Sequence, residues 1–239
     1  MANPYFKFKQ FTVWHDKCAM KVGTDGVLLG AWSEIDHTER ILDIGCGTGL
    51  ISLMLAQRCD AEIYALDIDE SACIQAQENA DRSPFASQIK VVHQPLCGFV
   101  TENVQKLSFD CIVSNPPYFI DSLKCPDKQR NTARHTDTLP LVDLIQGSKQ
   151  LLSPKGKICL VLPYDQRERL IHYIYKENLF LKKETVVYPT PSSQPKRLLV
   201  EITHPCSEET ITDKLTIEKE RHVYTEEFVA IAKDYYLYL

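Results

Sequence analysis

The sequence predicts an α/β fold: a doubly wound, mostly parallel sheet with its last strand antiparallel. Three observations carry this. Short apolar runs alternate with longer amphipathic stretches from Ile41 onward, the pattern of parallel strands joined by crossover helices. Two late strand-like runs are joined by a Pro- and Ser-rich link too short for such a crossover, so they should pair antiparallel. No repeat, low-complexity tract or long linker interrupts the chain, so residues 1–239 read as one domain.

The elements follow in order. "ILDI", "AEIYALD", "IKVVH", "FDCIVS" and "KICLVLP" read as buried strands, and the intervening "ESACIQAQENADRS" and "LPLVDLIQGSKQLL" have helical spacing. A further helix, "YDQRERLIHYIYKENL", leads to the strands "LKKETVVYP" and "KRLLVEITH", and "TEEFVAIAKDYYLYL" closes the chain as an amphipathic helix. Ahead of the first strand, residues 1–35 form a segment expected to cap the ligand site. Within it Thr24 is the expected N-cap of a helix whose apolar face is Val27, Leu28 and Trp32. Ligands of such sheets bind outside the carboxyl ends of the parallel strands, so residues at those ends carry the functional reading.

Composition narrows the classes. Of 239 residues, 44% are hydrophobic and 25% charged, ordinary for a soluble globular protein. The N-terminus mixes lysines with aromatics and lacks the apolar core of a signal peptide, and no apolar run is long enough to span a membrane. The nine cysteines are scattered singly with no Cys-x-x-Cys pair. That points to reduced thiols in the cytoplasm rather than a disulfide framework or a metal site. A net charge of -5 argues against holding nucleic acid by bulk charge, while leaving a local patch open. Oligomeric state is not legible.

The first strand runs into "LDIGCGTGL", where Gly45, Gly47 and Gly49 space as G-x-G-x-G. A dinucleotide fingerprint places its third glycine three positions after the second, so this loop lets backbone approach a ligand that carries no pyrophosphate. The next strand ends in Asp67, at about the twenty-residue distance where a carboxylate meets ribose hydroxyls. S-adenosyl-L-methionine fits these demands, with its ribose on Asp67, Ile68 beside it, and its amino-acid end along the loop near Asp43. Lys21 and the helix begun at Thr24 are placed to meet the methionine carboxylate. A glycine turn with only a structural role would not need Asp43, three glycines and Asp67 together at consecutive strand ends.

At the end of a later strand stands "SNPPYF". An exocyclic amine is a weak nucleophile because its lone pair is delocalised; two acceptors facing its N–H groups turn that pair toward an electrophile. Asn115 supplies one acceptor, its side-chain oxygen. Pro117 holds residue 116 extended and fixes where the Pro116 carbonyl, the second acceptor, points. Tyr118 offers a flat face on which a base can stack. Catalysis by such a group rests on positioning and electrostatics and requires no general base.

The motifs "LDIGCGTG", "ALDID" and "SNPPY" resemble those of class I S-adenosylmethionine-dependent amino-methyltransferases. Over nearly its whole length the chain resembles the bacterial tRNA1(Val) (adenine-37-N6)-methyltransferases more closely. The shared features are "FKFKQFTV…KVGTDGVLLGAW", "ARHT", "PKRLLVE" and "YTEEFVAIAKDYYLY". The resemblance implies a Rossmann-like fold and methyl transfer to N6 of an adenine in tRNA, at position 37 of the tRNA-Val anticodon loop. One departure stands out. Many relatives end the third strand with an acidic residue that meets the cofactor's adenine amino group, where this chain has Pro95 and Leu96. The adenine is then expected to rest on backbone groups and apolar packing. The same motif also suits a protein-glutamine N5-methyltransferase, a DNA adenine methyltransferase or a noncatalytic cofactor-binding regulator. Only about forty residues precede the first strand, too few for the helical domain of the familiar glutamine enzymes. A regulator has no use for an amine-orienting site.

A target base must leave its stack to reach Tyr118, which is easiest in a loop. Lys124, Lys128, Arg130, Arg134 and His135 follow the motif in a long aperiodic segment, and Lys196 and Arg197 begin the strand that returns to the same edge. With the basic N-terminus they are the expected phosphate contacts.

Overall fold

The computed structural model describes residues 3–18, 21–117, 139–206 and 208–238. An N-terminal hairpin, β1 (Tyr5–Lys7) and β2 (Thr12–Trp14), precedes helix α1 (Thr24–Trp32). Strands and helices then alternate: β3 (Arg40–Ile44), α2 (Leu50–Ala56), β4 (Glu62–Asp67), α3 (Glu70–Asp81), β5 (Ile89–His93), α4 (Leu96–Asn103) and β6 (Phe109–Ser114). After residue 139 come α5 (Leu141–Leu151), β7 (Leu152–Pro163), α6 (Arg167–Lys176), β8 (Phe180–Tyr188), β9 (Arg197–Thr203) and β10 (Ile211–Thr216). A second hairpin, β11 (Glu218–Glu220) and β12 (Val223–Tyr224), leads to α7 (Glu226–Ala232).

Eight strands form one sheet in the order β10-β8-β9-β7-β6-β3-β4-β5. β3 to β7 run parallel, and β9 pairs antiparallel with both β7 and β8. The expectation of a last antiparallel strand needs correction: β9 lies inside the sheet, and β10 adds a further edge by pairing parallel with β8. Four of the six residues of "ITDKLT" are exposed, so β10 carries no apolar alternation and is held by backbone pairing.

Alternation along the central strands feeds two cores. Ile41, Ile63, Cys111, Val113 and Cys159 face α1, α2, α3 and α7. Leu42, Leu66, Ile112, Ile158 and Leu160 face α4, α5 and α6. Both cores are predominantly apolar, consistent with strands buried on two faces.

Two local expectations differ. Gly23, in extended conformation, is the residue that precedes α1, and its carbonyl accepts from the Val27 N–H at 3.4 Å. Thr24 is therefore the first helical residue and makes no capping bond. The closing helix stops at Ala232, and two of the aromatics beyond it, Tyr235 and Tyr236, pack elsewhere. Tyr235 is 1% exposed with its hydroxyl donating to the Met54 carbonyl at 3.1 Å, and Tyr236 bridges to Phe8 of the N-terminal hairpin.

Candidate active site

A cavity of about 800 Å³ opens over the carboxyl ends of β6, β3, β4 and β5. Its floor is the glycine loop. Gly45, Gly47 and Gly49 have φ of 73°, 54° and 77°, values in the left-handed region that glycine alone adopts freely. The Gly45 and Cys46 N–H groups donate to the Leu66 carbonyl at 2.8 and 3.1 Å, clamping the loop to β4. Gly49 also lies against α3, where a Cβ would stand 3.3 Å from that of Ala76.

Asp67 ends β4 at the cavity wall. Its Oδ2 accepts from the Gly47 N–H at 2.8 Å and its Oδ1 from the Asp69 N–H at 3.0 Å. These bonds fix the carboxylate plane and leave lone pairs for ligand hydroxyls. Ile68 beside it is 50% exposed and offers the cavity an apolar face.

Asp43 sits beneath the loop, fully buried and set back from the cavity lining. Its Oδ2 accepts from the Ser52 N–H at 3.1 Å and Ser52 Oγ at 2.7 Å, joining β3 to α2, while its Oδ1 has no hydrogen-bond partner among the described residues. Burial pushes its carboxyl up to about 7, against the opposing pull of the Ser52 hydrogen bonds. This orphaned acceptor under the loop suits a cationic ligand above it, so the residues present fit S-adenosyl-L-methionine with Asp43 as a support beneath the loop.

The N-terminal segment supplies a second wall through Lys21, Gly23, Asp25 and Gly26. Thr24 is not on that wall; it lines a smaller cavity with Pro189, Tyr224 and Phe228. The segment is latched by a residue the sequence reading missed. Buried Asn79 of α3 accepts from the Trp14 N–H at 2.9 Å and donates to the Trp14 carbonyl at 2.8 Å and the Thr48 carbonyl at 2.9 Å. One amide thus joins β2, α3 and the glycine loop. In sequence it looks like one more polar residue of an amphipathic helix.

The Asn-Pro-Pro motif opens into the same cavity. Buried Ser114 donates through Oγ to the Ile44 carbonyl at 2.7 Å, pinning the end of β6 to that of β3. Asn115, Pro116 and Pro117 follow at the cavity wall. Tyr118, Lys124, Lys128, Arg130, Arg134 and His135 lie outside the described residues. Lys196 is exposed, and Arg197 stands opposite Pro163, at the end of the sheet that carries Asn115. Its guanidinium, however, is engaged inward: Nε donates to both Asp25 carboxylate oxygens at 2.9 Å. Lys9 and Lys17 are likewise engaged, on the Lys233 carbonyl and on Glu78.

The wall beyond Asp67 was not anticipated as side chains. Besides Pro95 and Leu96 it includes Gln94, Cys97 and Thr101, faced by Asp143 and Gln146 of α5. Among the described residues, no group of three His, Cys, Asp or Glu side chains is placed to hold a metal ion.

A glycine loop, a carboxylate ending the next strand and an Asn-Pro-Pro rim on a parallel sheet together define a class I methyltransferase. The fold agrees: a predicted O-methyltransferase from Agrobacterium tumefaciens has a TM-score of 0.70 at 18% identity, covering 88% of this chain and 96% of its own. Residues 20–185 match the methyltransferase small domain family. The chain is 58% identical over 237 residues to the tRNA1(Val) (adenine(37)-N6)-methyltransferase of Parabacteroides distasonis, covering 99% of each. It is 51% identical to that of Phocaeicola vulgatus, again over 99% of each. The chain belongs to the tRNA1(Val) (adenine(37)-N6)-methyltransferase family.

Proposed function

We propose that this protein transfers a methyl group from S-adenosyl-L-methionine to N6 of adenine 37 in the anticodon loop of tRNA1(Val), in the cytoplasm. The observation that carries the reading is the placement of Asn115, Pro116 and Pro117 at the end of β6, in one cavity with the glycine loop and Asp67. Family membership names the acceptor.

Asp67 holds the ribose hydroxyls, the glycine-loop backbone and Lys21 face the amino-acid end, and residues 1–35 close the cavity from above. When bound, the cofactor supplies an electrophilic methyl group on a positively charged sulfur. The Asn115 side-chain oxygen and the Pro116 carbonyl accept the two N6 hydrogens and turn the nitrogen lone pair out of the ring plane. Tyr118 stacks on the flipped base, and the amine sheds a proton to solvent afterward. The parallel strands β3 to β7, wound outward from β3 in both directions, and helices on both faces support the doubly wound reading, with residues 1–239 as one domain. Lys124, Lys128, Arg130, Arg134, His135 and Lys196 are the groups assigned to phosphates. Arg197 supports this surface indirectly, through Asp25.

The test is methyl transfer from labelled cofactor to total tRNA from a strain lacking the protein. Label in tRNA as N6-methyladenosine is the expected result. Label in protein would replace this reading with the glutamine-methylating one.

A further inference from the structure

The strand order β6-β3-β4-β5 sets Asn115, the glycine loop, Asp67 and Gln94 side by side along the carboxyl edge, with neighbouring strands about 4.8 Å apart. If the ribose sits on Asp67 and the reacting methyl faces Asn115, the base must extend away from Asn115, toward the end of β5. Gln94 waits there. It follows β5 directly, and its N–H donates to the Asp67 carbonyl at 2.9 Å, so its position is tied to the ribose carboxylate. Ile68 is held to the same strand end, its carbonyl 3.0 Å from His93 Nε2.

The Gln94 side chain is half-buried at the cavity wall and makes no hydrogen bond to any described residue. It lies over Gly98 in the first turn of α4, where a Cβ would stand 3.1 Å from Nε2 and 3.3 Å from Cγ. Glycine at 98 leaves the amide room to lie flat, and Ile68 and Leu96 supply apolar surface beside it.

We propose that Gln94 is the residue that reads the cofactor's adenine, Oε1 accepting from N6–H and Nε2 donating to N1. This rests on the cofactor reading above and goes beyond it. A backbone N–H and C=O present a fixed donor and acceptor and would reject hypoxanthine, whose O6 and N1–H reverse the pattern. A carboxamide reverses with it by a half-turn of its terminal group. Gln94 therefore makes the protein a weak discriminator between adenine and hypoxanthine, which neither backbone contacts nor the Asp143 carboxylate would do.

The test is calorimetric binding of S-adenosyl-L-homocysteine and S-inosyl-L-homocysteine to the full chain and to Gln94→Ala and Gln94→Met, with melting curves to establish folding. Wild type should bind the two ligands within about tenfold of each other, and both variants should bind each about tenfold more weakly. The KM for cofactor should rise with kcat held. Wild-type affinity in both folded variants, or an inosyl ligand bound more than about a hundredfold more weakly by wild type, would overturn the assignment to Gln94 alone. Wild type binding neither ligand would overturn the cofactor reading and this inference with it.

Discussion

Asn115 and Asp43 show how differently two motif residues can serve one site. Asn115 lines the cavity, and its oxygen is assigned to the transition state, so Asn115→Ala should lower kcat by about 10²–10³-fold, as loss of one preorganised polar contact does elsewhere. Affinity for S-adenosyl-L-homocysteine should not change; a parallel loss of binding would move Asn115 from catalysis to scaffold. Asp43 works from beneath. Its carboxyl is pushed up to about 7 by burial, above its ordinary 3.8. The folded state thus holds the proton more tightly than the unfolded chain. The stability this contributes is full below about 4 and lost as pH rises through about 7. Asp43→Asn removes that dependence. The melting temperature of wild type minus variant should fall between pH 4 and pH 7, and a constant difference would contradict the buried, protonatable carboxyl.

At the scale of elements, the polar latches that hold the N-terminal segment to the rest of the fold include Asn79 on Trp14 and Thr48, and Arg197 on Asp25. Asn79→Ala leaves backbone groups of β2 and the glycine loop without partners, at a cost of roughly 1–3 kcal/mol, measurable by urea unfolding. An unchanged midpoint would show the latch to be dispensable. The regular elements were legible because strands buried on two faces must be continuous apolar runs and surface helices must be amphipathic. β10 and the second hairpin were not, since most of their residues are exposed and carry no periodic apolar signal. The first hairpin does alternate, turning Phe8, Phe11 and Val13 to the core, but its strands are only three residues long. The cap of α1 was misplaced by one residue because Thr24 and Gly23 both satisfy capping preferences, and only the backbone path chooses Gly23. Gly45, Gly47, Gly49, Asp67 and Asn115 were legible because backbone conformation and charge force those residue types at strand ends. Gln94 and Asn79 were hidden, since an amide on a helix or after a strand looks like solvated surface until its partners are known.

For the whole molecule, the question is how a chain of net charge -5 holds RNA. Several basic groups assignable to phosphate already have protein partners: Arg197 on Asp25, and, at the exposed surface, Lys17 on Glu78 and Lys9 on a carbonyl. Under the proposed function the burden rests on Lys124, Lys128, Arg130, Arg134 and His135, which lie outside the described residues. Replacing Arg130 and Arg134 with alanine should weaken tRNA binding and reduce the slope of log affinity against log salt by about 1 to 2. Unchanged affinity and slope would remove that segment from the interface. The central claim, N6 methylation of one adenine, is tested most directly by mass spectrometry of anticodon-loop fragments of tRNA1(Val) from the strain lacking the protein, after incubation with cofactor. The account predicts a single added methyl, on N6 of adenine 37, with wild type and only a trace of it with Asn115→Ala over the same incubation. A methyl on another nucleotide, or an equal yield from the Asn115 variant, would contradict it.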